Sequence, residues 1–203
     1  MGDRPTLADP VIVDPDSVGT DTSIATLIGR LEHHEATSAE QAAVATTMIE
    51  FAKAHGDALV RSCGPGHFTG SALVVEQGTD RFCVLHHTKL DKWLQPGGHT
   101  DGEANLAATA LREASEETGI IGLVVVEPAI DLDIHEVRPP GEPAHLHLDV
   151  RFVVIAPRGS TFVGNHESRE LRWVTIGDLD GLGADEGLFR LAGHGLALAG
   201  RLR

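Results

Sequence analysis

The stretch GGHTDGEANLAATALREASEETGI, residues 97–120, decides how this chain folds. Asn105 is a residue type that caps helix starts, and Gly119 is one that ends helices in left-handed backbone geometry. Between them runs an apolar stripe at helical spacing: Leu106, Ala107, Ala110, Leu111 and Ala114. The pattern predicts a rigid helix that buries one face and exposes the adjoining edge.

That exposed edge carries three carboxylates. At 100° per residue, Glu113, Glu116 and Glu117 fall within an arc of roughly 100°. Like charges this close destabilise an isolated helix, whereas Mg²⁺ prefers an all-oxygen cluster and brings phosphate oxygens with it. Gly97 and Gly98 allow a turn that leaves bare carbonyls beside the helix start. Two interpretations stay open: a solvated acidic face, or a divalent-cation site.

The same residues resemble the signature of the Nudix hydrolases, Gly-x5-Glu-x7-Arg-Glu-U-x-Glu-Glu-x-Gly-U, where U is aliphatic. Residues 112–120 match the second half throughout, with Ala114 as U. Counting from Gly98, the first glutamate of the signature would stand at Ala104, and a glutamate occurs one position earlier, at Glu103. The resemblance is specific in this box and extends more loosely over residues 65–180. Glu103 is the candidate for the displaced role.

The resemblance implies a metal-dependent hydrolase that cleaves the diphosphate linkage of a nucleoside diphosphate joined to another moiety. Mg²⁺, or Mn²⁺, is the implied cofactor, held by the glutamates and a glycine carbonyl. The implied catalytic and metal-binding residues are Gly97, Glu103, Arg112, Glu113, Glu116 and Glu117. The group joined to the diphosphate is not identified by the sequence.

Individual roles within this set are less defined. Arg112 is expected to orient a carboxylate, with Glu103 as the candidate partner. Spacing does not assign which glutamate takes the proton: Glu113 is a candidate for the base or for a metal ligand, and Glu167, in a loop before the last strand, is the reserve base. Glu116 and Glu117 are expected at the surface, so replacing either with Gln should slow turnover by orders of magnitude without unfolding the protein.

Two other functions stay open. Isopentenyl-diphosphate isomerases share the Nudix fold and move protons with a Cys and a Glu, but Cys63 and Cys83 stand in no recognisable partner motif. The displaced first glutamate also leaves room for a non-catalytic nucleotide sensor. The intact Arg-Glu-x-x-Glu-Glu sequence favours hydrolysis.

Polar residues outside the box supply candidate substrate contacts. Alternation places His145, His147, Asp149 and Arg151 on one face of a strand, which either faces water or lines a cleft. His-x-His also occurs in zinc sites, but no Cys or third His stands at the usual spacing, so zinc is not predicted. Trp93 either stacks on a base or fills the core. The predicted substrate contacts are Lys89, Trp93, His99 and Arg151.

Composition limits the partners. The chain has 16 basic and 30 acidic residues, and its formal charge of −14 opposes binding to a nucleic-acid polymer. A small phosphorylated substrate, such as a nucleotide derivative, is expected instead. Two cysteines outside any Cys-x-x-Cys motif indicate a reducing compartment. No apolar run reaches the roughly 18 residues of a membrane span, and no signal-peptide core is present, so we expect a cytoplasmic protein without a membrane partner.

The rest of the pattern predicts an α/β (α+β) sandwich of the Nudix type, with a mixed sheet between helices. Residues 1–20 are expected to form a flexible tail, 21–60 a helical extension and 61–203 the Nudix hydrolase domain. The expected helices span residues 22–34, 38–55 and 185–202, besides the helix of the box. The expected strands span residues 69–76, 81–87, 121–126, 130–137, 145–156 and 171–174. The N-terminal helical pair is open to three roles: a lid, a homodimer surface or simple packing.

Overall fold

The computed structural model describes residues 9–139, 141–164 and 168–202. Its helices are α1 (Ile24–Glu32), α2 (Ala39–Ala54), α3 (Leu106–Thr118), α4 (Leu179–Leu182) and α5 (Glu186–Arg201), with a 3-10 turn at Ile176–Asp178. Its strands are β1 (Val11–Val13), β2 (Gly66–Glu76), β3 (Phe82–His87), β4 (Lys92–Leu94), β5 (Gly97–His99), β6 (Val124–Val137), β7 (His145–Ala156) and β8 (Ser168–Val174). Among these residues, no helix is both long and apolar enough to cross a bilayer.

The strands of the described residues form one mixed sheet in the order β1-β6-β7-β2-β3-β4, with β5 beside β2 and β8 beside β3. Strands β2 and β7 run parallel, whereas the other pairs are antiparallel. Because parallel neighbours cannot be joined by a tight turn, the chain passes through α3 and β6 between them. Helix α3, which carries the box, therefore lies in the chain segment that connects the two parallel strands β2 and β7.

The sheet separates two apolar cores, as expected when alternate side chains of a strand point to opposite faces. On one face, Phe68 and Val74 of β2 belong to a core with buried residues of α1, α2 and α3. On the other face, Leu73 and Val75 belong to a core with buried residues of α5. The predicted mixed sheet between helices is confirmed.

Two elements differ from the sequence prediction. Strand β6 is continuous where two strands were expected, and its pairing with β7 shifts register between Val126 and Asp131. Pro128 lies in that interval, and because proline cannot donate to a ladder, the pattern suggested a break. Val11–Val13, expected in a flexible tail, instead pairs with β6 as an edge strand, consistent with its β-branched sequence. Residues 1–8 of the expected tail lie outside the described residues.

Candidate active site

The three glutamates of the box lie on α3, whose bounds follow from its sequence. The helix ends at Gly119, where a φ of +65° is accommodated without a Cβ and the glycine N–H donates to the Ser115 carbonyl. The five residues of the predicted apolar stripe are all buried. Asn105 stands at the N-cap position, but its side chain donates to the carbonyls of Val18 and Gly19 instead of capping the helix.

The glutamate side chains occupy three different environments. Glu116 is exposed and Glu113 is largely covered, with 59% and 12% of their side chains accessible. Glu117 is only 4% exposed, and its carboxylate accepts the Gly97 N–H at 2.9 Å. The expectation of a surface position is therefore wrong for Glu117, because β5 closes over its edge of the helix.

The two glycines of β5 allow that close approach. A Cβ on Gly98 would lie 2.5–2.8 Å from the Glu113 carboxyl group, and one on Gly97 would lie 2.3 Å from Ser71 Oγ. A side chain at either position would therefore displace a neighbour. The glycines bring bare main chain against the carboxylates, and together they offer the oxygen-rich donor set that suits Mg²⁺ or Mn²⁺.

Arg112 contacts its helical neighbours and β5. Its Nη1 lies 2.6 Å from Glu113 Oε1 and 3.6 Å from Glu116 Oε2, and its Nη2 donates to the His99 carbonyl at 2.7 Å. Arg112 thus orients a carboxylate, but that carboxylate belongs to Glu113 and not to Glu103. The same guanidinium fixes β5 relative to α3.

Glu103 anchors the loop that leads into α3. Its Oε1 accepts the backbone N–H of Asp21 at 2.8 Å and that of Asn105 at 2.7 Å. Ala104 is fully buried in the core, where a glutamate would lose its hydration, and its N–H donates to the Asp21 carbonyl. The expectation that Glu103 pairs with Arg112 is wrong, since the displaced carboxylate serves the loop.

Further contacts from the N-terminal segment hold the same loop. The Gly102 N–H and the Thr100 hydroxyl both donate to the Leu59 carbonyl, at 2.8 and 2.5 Å. Together with the contacts of Val18, Gly19 and Asp21, these bonds form what we call the N-terminal clasp. The clasp tethers loop 100–105 to residues that precede β2.

The other predicted substrate contacts lie apart from one another. Lys89 is exposed in the turn between β3 and β4. Trp93 is half-buried, stacks on His86 with ring centroids 5.0 Å apart, and has the Arg172 guanidinium 4.6 Å from its ring centre. These contacts match the packing alternative for Trp93. His99 directly follows the glycines of β5 and is the predicted contact nearest to the glutamates in the chain.

Arg151, by contrast, is committed to a buried ion-pair network. It is 4% exposed and lies 2.7, 3.2 and 3.1 Å from carboxylate oxygens of Asp149, Asp131 and Asp133. Arg190 of α5 pairs with Asp131 and Asp133 at 2.8 and 2.7 Å. The structure thus gives Arg151 a role inside the fold, where its charge is already compensated, and its contact with substrate stays a prediction.

Other groups complete the network. The Asp149 carboxylate also accepts hydroxyl groups from Thr69 and Ser71, at 2.9 and 2.8 Å. Burial raises the pKa of Asp133, but a hydrogen bond from His135 and the charge of Arg151 outweigh it and hold that pKa well below its usual range. The Asp133 carboxylate is thus kept ionised by donors inside the protein.

Next to this network, five histidines converge at one end of the sheet. Their rings belong to β2, β5, β6 and β7, and they are His67, His99, His135, His145 and His147. The ring centre of His67 lies 4.9 Å from those of His99, His145 and His147. The alternation of β7 indicated two of these residues, whereas His67 and His99 stand alone in the sequence and join them only through the fold.

Burial and mutual repulsion favour the neutral form of three of these rings, those of His67, His99 and His147. Burial, together with the neighbouring histidines, lowers the pKa of His67 to about 4 and that of His147 to about 3. The pKa of His99 is also lowered, mainly by burial. Each neutral imidazole presents one lone pair and one N–H.

Neither cysteine offers a reactive thiol. Cys63 and Cys83 are buried, and burial raises the pKa of both, with the charge of Glu117 adding to the effect at Cys83. Both thiols are therefore weaker acids than an exposed cysteine and are shielded from substrate, which argues against proton transfer of the isomerase type. Glu167, the reserve base, lies outside the described residues.

Comparisons with known proteins agree with this geometry. A NUDIX domain model matches residues 67–191. A protein of Lactococcus lactis subsp. cremoris, named "Probable DHNTP pyrophosphohydrolase", is 31% identical over 90 residues, which are 42% of this chain and 52% of that protein. The chain thus spans about half the length of this curated relative.

Solved structures show the same fold. A C. elegans Ap4A hydrolase in a binary complex matches with a TM-score of 0.54 and 19% identity. The match covers 66% of this chain and 98% of the C. elegans chain. The E. coli dihydroneopterin triphosphate pyrophosphohydrolase has a TM-score of 0.53 and 17% identity, covering 64% and 94%. Since the family model matches more than half of the sequence, this chain belongs to the Nudix family.

Proposed function

We propose that this chain is a divalent-cation-dependent pyrophosphohydrolase, which cleaves the diphosphate linkage of a nucleoside diphosphate joined to another moiety. One observation carries the proposal: the glutamate edge of α3 faces glycine main chain so closely that a Cβ on Gly98 would meet the Glu113 carboxyl group. Family membership and the name of the Lactococcus relative support the reaction class.

Glu113, Glu116, Glu117 and the Gly97 carbonyl would hold Mg²⁺, or Mn²⁺. A cation bound there neutralises charge that develops on phosphoryl oxygens and acidifies a bound water. The surrounding residues orient the carboxylates, since Arg112 contacts Glu113 and the Gly97 N–H donates to Glu117. Glu113 remains a candidate for the base.

The substrate we expect is a small nucleotide derivative, because a formal charge of −14 repels a polyanionic polymer. The names of the relatives nominate the first compounds to assay, dihydroneopterin triphosphate and Ap4A. Nucleoside triphosphates, ADP-ribose and nucleotide sugars complete the panel. Specificity on a shared fold depends on its loops.

The test is a turnover assay on this panel with Mg²⁺, Mn²⁺ or EDTA, following product phosphates by chromatography. We expect turnover of at least one compound that EDTA abolishes, and a loss of about 100-fold or more in Glu116→Gln. Glu50→Gln, an exposed glutamate of α2, is the matched control and should retain wild-type turnover.

The outcomes separate the alternatives. Binding of a nucleotide without turnover would favour a sensor, and deuterium incorporation into an isoprenoid diphosphate would favour an isomerase. Wild-type turnover in both Glu116→Gln and Glu113→Gln would remove these two glutamates from the reaction.

A further inference from the structure

The histidine cluster is produced by the register of the sheet. His67 of β2 pairs directly with His147 of β7, and His147 pairs across its other side with His135 of β6. His99 of β5 pairs with Thr69, two residues along β2 from His67. Three neighbouring strands therefore each direct an imidazole to the same place.

The ring nitrogens are close enough to share one ion. One ligand atom each from His67, His99 and His147 lies within 4.8 Å of the other two. In a tetrahedral site with Zn–N distances of about 2.0–2.1 Å, ligand nitrogens stand roughly 3.3 Å apart. Small rotations of the rings would close the remaining difference, without movement of the strands.

His67 supplies an independent indication of a ligand. The residue is 2% exposed, and neither of its ring nitrogens has a hydrogen-bond partner within the described part of the chain. A buried imidazole with an unsatisfied donor and acceptor costs free energy, so such groups in native proteins are nearly always paired. A bound metal ion would satisfy the lone pair that the protein leaves open.

We propose that His67, His99 and His147 form a second metal site in this chain, separate from the glutamate edge of α3, for a borderline divalent ion such as Zn²⁺. Neutral imidazoles suit Zn²⁺, Co²⁺ and Ni²⁺, whereas Mg²⁺ selects oxygen ligands. Because three protein ligands leave a fourth position open, the ion would also take water or a further histidine.

Two neighbouring residues are expected to affect the affinity of this site for an ion. The His145 ring is the nearest candidate for a fourth ligand, and its Nδ1 contacts the Pro143 carbonyl, which orients the other nitrogen. Arg61 donates to His99 Nδ1 at 3.1 Å and so competes with the ion for that lone pair. The Arg61 side chain is mostly exposed and lies near Asp101, so it can move aside.

The site would also be linked to the box. The His99 carbonyl accepts a hydrogen bond from Arg112, and His99 directly follows Gly98 in β5. An ion held by His99 would therefore fix β5, the strand that closes over Glu117. The role that follows is structural support of the glutamate edge, and ion binding does not depend on any turnover.

The experiment uses Co²⁺ as a spectroscopic probe of the chelator-treated full chain, in about 1 mM Mg²⁺ to occupy oxygen-ligand sites. We expect about one Co²⁺ per chain, with the visible absorption of a nitrogen-rich site of low coordination number, and displacement by Zn²⁺. His67→Phe should weaken binding by at least about 100-fold. Arg61→Ala should tighten it, because the competing donor and its charge are removed.

Two controls keep the result interpretable. His67→Phe keeps an aromatic ring and loses no hydrogen bond, so without metal its thermal unfolding should match or exceed that of the wild type; His33→Ala, at an exposed histidine, should bind Co²⁺ normally. Ligand atoms of His55, Asp57 and Cys63 also lie within 4.8 Å of one another, so Cys63→Ser is tested in parallel.

The proposal fails on either of two results. One is no Co²⁺ uptake by the wild-type chain. The other is uptake that survives His67→Phe and His147→Asn with unchanged affinity; its loss in Cys63→Ser would then assign the ion to the second group.

Discussion

Replacing Arg151 with methionine tests how much the buried ion-pair network stabilises the fold. Methionine nearly matches the length of the arginine stem, so the main loss is the charge and its hydrogen bonds. Asp131 and Asp133 would keep Arg190, whereas Asp149, which is 2% exposed, would keep the hydroxyl groups of Thr69 and Ser71. The variant therefore leaves a buried carboxylate without a countercharge.

Removing one partner of a buried ion pair costs about 3–5 kcal/mol. For a chain of this size, that corresponds to a fall in melting temperature of roughly 6–20 °C. Urea unfolding followed by circular dichroism at neutral pH measures the loss. Arg138→Met removes an exposed ion pair with Glu136 and should cost less than about 1 kcal/mol.

A second substitution checks the cause. Adding Asp149→Asn to Arg151→Met should recover part of the stability, because it removes the uncompensated charge. A loss below about 1 kcal/mol in Arg151→Met would refute the argument that the network stabilises the fold. A stable variant with a KM raised about tenfold and an unchanged kcat would instead support a contact between Arg151 and the substrate.

Other predictions address the box and the histidines. Gly98→Ala should reduce turnover about 10- to 100-fold because its Cβ displaces the Glu113 carboxylate, and kinetics beside a melting curve would show the effect without unfolding. Glu103→Ala should lower the free energy of unfolding by about 1–3 kcal/mol, measured in urea, since two backbone donors lose their acceptor. In metal-free protein, that free energy should fall as the pH drops from about 6.5 towards 4, because the unfolded chain protonates His67 and His147 before the folded chain does. Denaturation at several pH values should show this slope, and His67→Phe should reduce it; an unchanged slope would contradict the assignment.

The sequence predicted those elements whose position depends on residues close together in the chain. Helix α3 has its apolar stripe and terminal glycine within 14 residues of one another, so spacing alone located it. Strand β7 was predicted with its observed bounds because its alternation is regular. The buried position of Glu117 was not predictable in this way, since it depends on β5 closing over the helix.

Features that depend on strand register could not be predicted from spacing. His67 and His147 are separated by 80 positions and meet only because β2 and β7 run parallel in one particular register. The Arg151 network likewise needs Asp131 and Asp133 from the neighbouring strand. Asp131 and Asp133 alternate with apolar residues in β6, and this pattern is a sequence signal for charges paired inside the sheet.

The N-terminal clasp makes the start of the box helix depend on residues outside the matched family segment. Loop 100–105 is tied to Val18, Gly19, Asp21 and Leu59, whereas the family model begins at residue 67. Grafting the box of this chain into another Nudix scaffold would remove the Asp21 carbonyl that accepts the Ala104 N–H and the Asp21 N–H that donates to Glu103. A change in the length of the segment before α1 would therefore alter how the loop that leads into α3 is held, although it touches no residue of the signature.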